Sequence, residues 1–335
     1  MSTVVQQPNT PARGMTESEL NAELAAARSG SVLAPLSHLG VLAFSGADTE
    51  AFLQGQLSCD VGGVGRASGT LGAYCSPKGR MLASFVLWRE ESGFFMVLPR
   101  DLLDAVRKRI SMFVLRSKIV IADASSTLTL IGCAGPLAED ALRPLFSRLP
   151  ERARETAHHP ENGVVMKLDE ARFLLAVPSE RAAAVQERLS QSLRPVGQRA
   201  WQWLDIRNGI PWITAATQEQ FVPQMANLEL LGGVSFSKGC YTGQEIVART
   251  QHLGKLKRRM FLANVPGAAA PGDPLYSDDF GDQACGMVVN AEASPEGGCD
   301  LLAVIQIGSA ENSIVRLKAP AGPALRLLIL PYAVA

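Results

Sequence analysis

The sequence lacks an excess of charge, a long apolar run and closely spaced cysteines. Its 335 residues include 32 Lys plus Arg and 32 Asp plus Glu, so the formal net charge is zero. A neutral chain has no general attraction for nucleic acid, and such a contact would need a local basic cluster. No stretch reaches about 18 consecutive apolar residues, so no membrane span is expected. The first residues show no basic segment followed by an apolar core, which favours a cytoplasmic location over secretion.

The cysteines also argue against one class of site. No two of the six form a C-x-x-C pair; they are Cys59, Cys75, Cys133, Cys240, Cys285 and Cys299. A disulfide framework is not expected in so long a chain, of which 47% is hydrophobic. Zinc or iron–sulfur sites that depend on local cysteine spacing are likewise unsupported. We therefore predict no stably bound metal.

What the sequence does contain is a mixture of helical and strand patterns. Its length predicts about two domains, with three allowed. The T-x-x-E box of Thr16 and Glu19 predicts a short helix that ends near Gly30 and follows a flexible tail. One strand is predicted over residues 32–44, and an amphipathic helix over residues 100–113 follows strands within 69–98.

A second unit is predicted from residue 118. Strand, helix, strand and helix follow one another to residue 193, an order typical of an α+β domain. Trp201 and Trp203 precede an apolar run that indicates a strand; they would be core residues unless a flat ligand stacks on one of them. From residue 256 onward, short apolar runs are separated by Gly, Pro and Asp, which favours a small β-barrel.

The most unusual stretch is K-G-C-Y-T-G-Q-E, residues 238–245, called the octapeptide below. Thr242 and Glu245 fit a capping box, which predicts a helix that begins at Thr242. Cys240 would then precede a helix N-terminus, which favours a thiolate, and Lys238 adds a positive charge nearby. Two interpretations stay open: a reactive or ligand-contacting thiol, and a small residue buried beneath the capped helix.

The predicted helix continues into a basic cluster: Arg249, His252, Lys255, Lys257, Arg258 and Arg259. Such a cluster can contact phosphate or an acidic partner. It can equally be a solvated helix end whose cations complement the helix dipole.

The octapeptide resembles the hallmark K-G-C-Y-x-G-Q-E of the YgfZ family, the folate-binding relatives of the glycine-cleavage T-protein, and it matches at every position. Four further stretches resemble the same family, and together the similar segments span roughly residues 36–260. They are F-L-Q-G-Q-L at 52–57 with Asp60, P-K-G-R-M at 77–81, L-D-I at 204–206 with G-I-P at 209–211, and F-V-P-Q at 221–224 with Asn227 and Leu228.

The resemblance implies an α+β, three-part T-protein-like fold. Two α/β sections would surround a central channel that binds tetrahydrofolate or a derivative, and a β-barrel would follow. The chain would then divide into a tail and helix over 1–30, an α+β domain of 31–117 interleaved with 200–255, a second α+β domain over 118–199, and the barrel over 256–335.

The resemblance also implies a role in assembling or repairing iron–sulfur clusters in selected enzymes, including enzymes that thiomethylate tRNA. The partners would be those enzymes or cluster-assembly proteins, with no direct binding of nucleic acid expected. Cys240 falls on the family's key functional residue, with Lys238 beside it. The candidate folate contacts are Trp201, Tyr241, Gln244, Glu245 and Arg249.

Two positions depart from the family pattern and bear on folate. Folate-binding relatives often carry Glu at the position of Arg207, and a carboxylate accepts hydrogen bonds from a pterin ring whereas a guanidinium cannot. Some relatives carry an aromatic residue at the position of Leu39. Neither departure touches Cys240.

Two other functions remain open. The first is an aminomethyltransferase that uses tetrahydrofolate and a lipoyl-bound aminomethyl group, which kinship of fold permits without requiring it. The second is a tRNA-binding module that uses the basic cluster, against which the zero net charge argues.

Overall fold

The computed structural model describes residues 15–252 and 256–334, so the tail over 1–14 and Lys255 lie outside the described residues. The helices are α1 (Glu17–Ser29), α2 (Thr49–Gln56), α3 (Arg100–Ser111), α4 (Ala138–Leu142), α5 (Ala182–Ser190), α6 (Gln198–Arg207), α7 (Gln244–His252) and α8 (Ile307–Asn312). No helix in these ranges is both long enough and apolar enough to cross a bilayer. Together with three sheets, they confirm the predicted α+β class.

The predicted capping box at the start of α1 is present in full. The Thr16 hydroxyl accepts a hydrogen bond from the Glu19 amide at 3.2 Å, and the Glu19 carboxylate accepts one from the Thr16 amide at 2.7 Å. Both bonds satisfy backbone donors that the first helical turn leaves unpaired. The helix ends at Ser29, as its sequence predicts.

The first sheet is antiparallel, with the strand order β3-β4-β5-β2-β6. Its strands are β2 (Leu39–Ser45), β3 (Gly69–Cys75), β4 (Met81–Glu90), β5 (Gly93–Pro99) and β6 (Val120–Asp123). The helix predicted over 100–113 is confirmed as α3, which buries Leu102, Leu103, Val106 and Ile110 against this sheet. Eight successive residues of β4 are buried, so both faces of the sheet centre are covered.

The second sheet has the order β11-β1-β7-β10-β9-β8. Its strands are β1 (Val32–Pro35), β7 (Leu128–Ala134), β8 (Thr156–His159), β9 (Gly163–Lys167), β10 (Arg172–Pro178) and β11 (Arg194–Pro195). The prediction of a single strand over 32–44 was wrong. A turn closed by a 3.0 Å hydrogen bond from the Leu39 amide to the Leu36 carbonyl directs β1 into the second sheet and β2 into the first.

The third sheet has the order β16-β13-β14-β15-β12-β17 and curls into a half-barrel. Its strands are β12 (Arg258–Val265), β13 (Pro274–Ser277), β14 (Gly286–Ala293), β15 (Cys299–Gln306), β16 (Val315–Leu317) and β17 (Arg326–Leu328). The C-terminal β section is thus confirmed in this coarser form.

Helix α6 corrects the prediction of a β-like run after Trp201. Aromatic and β-branched residues favour strands, but tertiary packing overrides that preference here. Trp201 lies over Gly132 of β7, where an added Cβ would come within 2.5 Å of the indole ring. The Glu23 carboxylate of α1 accepts a 2.8 Å hydrogen bond from the Gly197 amide at the start of α6. The helix packs on α1, β1, β14 and β15, and so joins the second and third sheets.

Candidate functional site

Cys240 is exposed, whereas the other five cysteines are buried. Burial raises the pKa of both Cys59 and Cys75 to about 12, so these two thiols stay protonated at neutral pH. The interpretation of Cys240 as a residue packed beneath a helix is therefore wrong. Its thiol is open to an approaching molecule.

Helix α7 begins at Gln244, two residues after the predicted start. Gly243, with φ +83°, continues a turn through Thr242, and this turn delays the first helical residue. The described residues contain no hydrogen bond between Thr242 and Glu245, so the predicted capping box was wrong. The Gln244 amide instead donates to the Tyr241 carbonyl at 3.1 Å.

Lys238 attaches the octapeptide to the loop that follows α2. Its Nζ donates to the Leu57 carbonyl at 2.7 Å and to the Cys59 carbonyl at 2.8 Å. The ammonium also lies 5.1 Å from the centre of the Tyr241 ring. Partial burial lowers the pKa of Lys238, while Cys59 and Asp60 act in the opposite direction. Lys238 therefore positions this segment, and its effect on the Cys240 thiol stays a prediction.

The turn at 76–80 supports the other end of the octapeptide. A Cβ added at Gly243 would lie 2.4 Å from the Ser76 carbonyl oxygen, and one at Gly79 would lie 2.9 Å from Cβ of Ile246. Both glycines have positive φ, which allows this close contact between backbones. The Met81 amide then donates to the Phe221 carbonyl at 2.8 Å, which joins this turn to the F-V-P-Q stretch.

The F-V-P-Q stretch and the residues after it form hydrogen bonds with α7 and with β12. The buried Gln224 amide group donates to the Val247 carbonyl at 2.7 Å, and the Asn227 amide group donates to the Met260 carbonyl at 2.9 Å. Three of the four stretches that resemble the family, at 52–60, 77–81 and 221–228, therefore surround the octapeptide. The fourth, at 204–211, belongs to a separate cavity.

The remaining candidates in and after the octapeptide differ in exposure. Tyr241 is buried, its hydroxyl has no partner among the described residues, and burial raises its pKa. Gln244 is partly buried, and Glu245 and Arg249 are exposed. None of these four lines the cavity described next, which does contain Trp201.

The predicted basic cluster does not form one helix end. Arg249 and His252 are exposed on α7, whereas Arg258 and Arg259 belong to β12. Arg259 is largely buried and pairs with Glu229. This pairing removes one cation from the surface that was expected to contact phosphate.

A cavity, called the central cavity below, lies where α6 meets the three sheets. Its inner part has a cavity volume of about 40 Å³, and its outer part of about 420 Å³. The two parts share Leu39, Asp205, Ile210 and Trp212. Leu39 comes from the first sheet, Met166 of the inner part from the second, and Asn290 of the outer part from the third. Of the two, the outer part has the size of a small-molecule site.

Charged and aromatic groups are fixed in the inner part. The Arg172 guanidinium donates to Asp205 and Asp169, both at 2.6 Å, and lies 5.5 Å from the Trp201 ring. Asp205 also accepts a 2.9 Å hydrogen bond from the Trp212 indole N–H. Arg172 and Asp205 are each 3% exposed. The inner part therefore combines an indole with a carboxylate of set orientation.

The outer part carries polar atoms that lack partners. Both ring nitrogens of His38 and the hydroxyl of Thr214 are buried without a hydrogen bond to any described residue. Orphaned polar atoms on a cavity wall fit a ligand, or ordered water, that supplies their missing partners. These residues are therefore compatible with a polar heteroaromatic ligand.

Comparison with known proteins relates this arrangement to a family. The GCVT N-terminal domain family matches residues 5–231. The tRNA-modifying protein YgfZ of Klebsiella pneumoniae is 33% identical over 306 residues, which cover 90% of this chain and 92% of that protein. The tRNA-modifying protein YgfZ of Sodalis glossinidius is 32% identical over 309 residues, with coverages of 90% and 93%. The chain belongs to the YgfZ family.

A solved structure resembles this YgfZ-family chain over most of its length. The glycine cleavage system aminomethyltransferase T of Bartonella henselae gives a TM-score of 0.77 at 16% identity and covers 93% of this chain and 89% of its own. At this identity the likeness concerns the fold. The T-protein-like fold implied by the octapeptide is confirmed at that level.

The two departures from the YgfZ pattern have different surroundings. Leu39 lines both parts of the central cavity, so it occupies a wall position. Arg207 lines neither part, and its guanidinium lies 3.7 Å from Asp300. The carboxylates that line the cavity are Asp205, two residues earlier on α6, and Asp101 of α3. Arg207 therefore does not take the place of a carboxylate on the cavity wall.

Several cavity residues were missed by sequence reasoning. Asp205 lay within the L-D-I stretch that resembles the family, and that stretch could have drawn attention to it. Arg172 carried no local signal, because its partner Asp205 is 33 residues away along the chain. Trp212 and His38 lay outside the stretches that resemble the family.

The burial of His38 leads to a pH prediction. Desolvation lowers its pKa to about 4 from 6.5, so between these values the unfolded chain binds more protons at this residue than the folded chain. The free energy of unfolding should therefore fall as the pH drops from 6.5 toward 4, by about 3 kcal/mol at this site. Urea unfolding at a series of pH values should show that the free energy of unfolding of His38→Asn falls less at acid pH than that of the wild type. His252→Asn, at an exposed position, is the control, and an unchanged pH dependence in His38→Asn would contradict the prediction.

Proposed function

We propose that this chain is a folate-binding accessory protein that supports assembly or repair of iron–sulfur clusters in selected enzymes, including enzymes that thiomethylate tRNA. Cys240 would act as the functional thiol. The observation that carries the proposal is the exposure of Cys240, alone among six cysteines, in an octapeptide supported by three stretches typical of the family.

The surroundings of Cys240 support a role in contacts with another molecule. Gly239, next to it, has no atom within 4 Å of an added Cβ, so the loop has free space around it. The other thiols are buried, so they offer Cys240 no accessible partner in this arrangement. A cluster needs more ligands than one thiol, so a client protein would have to supply the others, and the contact would be transient.

The central cavity supports the folate part of the proposal. Trp201 is only 1% exposed and packs on Gly132 and Arg172, so the indole open to a flat heteroaromatic ring is that of Trp212, which lines both parts of the cavity. His38 and Thr214 offer polar atoms without partners among the described residues. A bound tetrahydrofolate would supply a carrier for a one-carbon unit. The protein would orient this ligand and exclude water from its ring.

The link to tRNA is proposed to be indirect. Two relatives are named as tRNA-modifying proteins, yet this chain has zero net charge and no long basic face on α7. Phosphate contacts dominate binding to nucleic acid, and here they would be few. The chain would therefore act on the modifying enzyme and not on the RNA.

Replacement of Cys240 by alanine tests the function. In cells that lack the native chain, Cys240→Ala should fail to restore cluster-dependent tRNA thiomethylation, because no other exposed thiol replaces it. Modification is measured by mass spectrometry of tRNA nucleosides. The exposed position implies a stability change within about 0.5 kcal/mol. Ser237→Ala, in the same exposed loop, should restore modification fully. Full modification with Cys240→Ala would remove the thiol from the proposal.

An aminomethyltransferase is the second candidate, favoured by the likeness of fold to the Bartonella enzyme. Purified protein would then convert tetrahydrofolate and an aminomethyl-lipoyl carrier into methylene-tetrahydrofolate. Product formation that survives Cys240→Ala would favour this candidate over the accessory role.

A further inference from the structure

An exposed apolar stretch follows helix α3. Of the 13 large hydrophobic side chains that are exposed in the described ranges, four fall within residues 112–120, which lead into β6 and are called the apolar loop below. They are Met112, Phe113, Leu115 and Val120, which are 65%, 42%, 87% and 63% exposed. Single exposed hydrophobic residues are ordinary on a protein surface, whereas a cluster of them marks a contact surface. The apolar loop therefore has the character of a surface that binds another macromolecule.

The charge around the apolar loop has one sign. Residues 105–122 contain five Lys or Arg and no Asp or Glu. Arg107 is partly exposed and pairs with Asp104. The exposed cations form no salt bridge within 4.0 Å to any residue in 15–252 or 256–334; they are Lys108, Arg116 and Lys118. A partner that complements this surface offers apolar side chains flanked by carboxylates.

The strand that follows the apolar loop lies at a free sheet edge. β6 is the last strand of the first sheet, and among the described residues it pairs with β2 alone. Its outward backbone N–H and C=O groups are therefore available to a strand from another protein. Hydrocarbon offers no hydrogen bonds to such groups, so this edge favours a protein partner over a lipid surface.

The end of α3 is joined to the octapeptide by a series of three contacts. The Arg109 guanidinium lies beside the Tyr74 hydroxyl. Tyr74 forms an isolated antiparallel bridge with Leu57. The Leu57 carbonyl accepts a 2.7 Å hydrogen bond from Lys238. The apolar loop therefore begins close to the segment that carries the exposed Cys240.

We propose that the apolar loop and the free edge of β6 form the docking surface for the client protein of Cys240. The client would present an extended segment whose backbone pairs with β6 and whose apolar side chains, flanked by Asp or Glu, contact the loop. Leu115 is the main apolar anchor, because it is the most exposed of the four. This inference rests on the proposed function in one respect, the identity of the client as the enzyme that depends on Cys240.

Binding of a purified tRNA-thiomethylating enzyme tests the docking surface. The enzyme carries a fluorescent label, and its anisotropy is followed while this chain is added at several salt concentrations. Leu115→Asp should weaken binding by about 10- to 100-fold, because it removes the anchor and places a carboxylate opposite carboxylates. Arg116→Glu combined with Lys118→Glu should weaken binding by a similar factor and reduce its dependence on salt. Ile329→Asp is the matched control and should bind like the wild type, since Ile329 is 94% exposed outside the apolar loop.

Four results would overturn the proposal. The first two are no binding by the wild type and equal affinities of the wild type and Leu115→Asp. The third is tighter binding of the wild type to vesicles of phosphatidylglycerol and phosphatidylcholine than to the enzyme, which would assign the surface to a membrane. The fourth is self-association that Leu115→Asp abolishes, without binding to the enzyme, which would assign it to a second copy of this chain. The melting temperatures of the variants should match the wild type, because every changed side chain is exposed.

Modification in cells separates this proposal from the proposed thiol. Cells that lack the native chain receive Leu115→Asp or Cys240→Ala, and tRNA thiomethylation is measured. Failure of both variants supports both the docking surface and the thiol. Full modification with Leu115→Asp and none with Cys240→Ala would overturn the docking surface and leave the thiol function in place. The reverse result would remove the thiol and support the docking surface.

Discussion

Replacement of Arg172 by methionine is expected to lower the free energy of unfolding by about 3–5 kcal/mol. The change leaves the Asp205 carboxylate buried with only the Trp212 indole N–H as a partner. A carboxylate in that position must either stay charged without its counter-ion or take up a proton, and both states destabilise the fold. Methionine also loses the contact with the Trp201 ring. Urea unfolding followed by fluorescence measures the loss.

The double variant Arg172→Met with Asp205→Leu separates charge from packing. Removal of both charges leaves no buried ion, so the double variant should recover much of the stability lost by Arg172→Met alone. Arg143→Met is the surface control, because Arg143 is 63% exposed in its side chain and its two ion pairs are solvated. It should change stability by less than about 0.5 kcal/mol. A loss below about 1 kcal/mol for Arg172→Met would contradict the prediction.

Replacement of Gly243 by alanine should destroy the arrangement of the octapeptide. Its φ of +83° is strained for any residue with a Cβ, and that Cβ would meet the Ser76 carbonyl at 2.4 Å and Gly79 Cα at 2.9 Å. All of these are backbone atoms, so the turn at 76–80 and the start of α7 must move apart. We expect a stability loss of about 1–3 kcal/mol. Like Cys240→Ala, this variant should fail to restore tRNA thiomethylation in cells that lack the native chain.

Gly239→Ala is the matched control in the same loop. A Cβ at Gly239 meets no atom within 4 Å, and its φ lies outside the left-handed region. This variant should match the wild type in stability and in modification. Normal modification with Gly243→Ala would show that the position of Cys240 relative to α7 is unimportant, and it would weaken the proposed role of the octapeptide.

The exposed thiol and the central cavity are two separate sites. Cys240 lies on a surface loop attached by Lys238 to the backbone after α2, whereas Trp201 and Asp205 face a cavity between three sheets. Cys240 is not among the residues that line the cavity, so a ligand bound there would leave the Cys240 thiol exposed.

Local sequence patterns determined much of the local structure. The Thr16 and Glu19 box, the apolar spacing in α3 and the strands within 69–98 depend on residues that are near neighbours along the chain, and the structure has them as predicted. The octapeptide indicated the family and the cysteine of interest in the same way. Short-range patterns of this kind need no knowledge of distant partners.

Tertiary structure decided what the local patterns could not. Trp201 lies in a helix because α6 packs between the second and third sheets. The segment predicted as one strand over 32–44 forms two strands because its two halves pair in different sheets. Cys240 is exposed and Cys59 is buried although both occur in similar polar surroundings in the sequence.

The composition showed a neutral chain without paired cysteines, and it could not show where single charges are buried. Arg172 meets Asp205 across 33 residues, whereas Arg154 meets no carboxylate in the described part of the chain. Charge balance at a site depends on which residues the fold brings within a few ångströms of each other. The sequence by itself determined the family and the candidate thiol, and only the packing of the three sheets decided which charges are buried and paired.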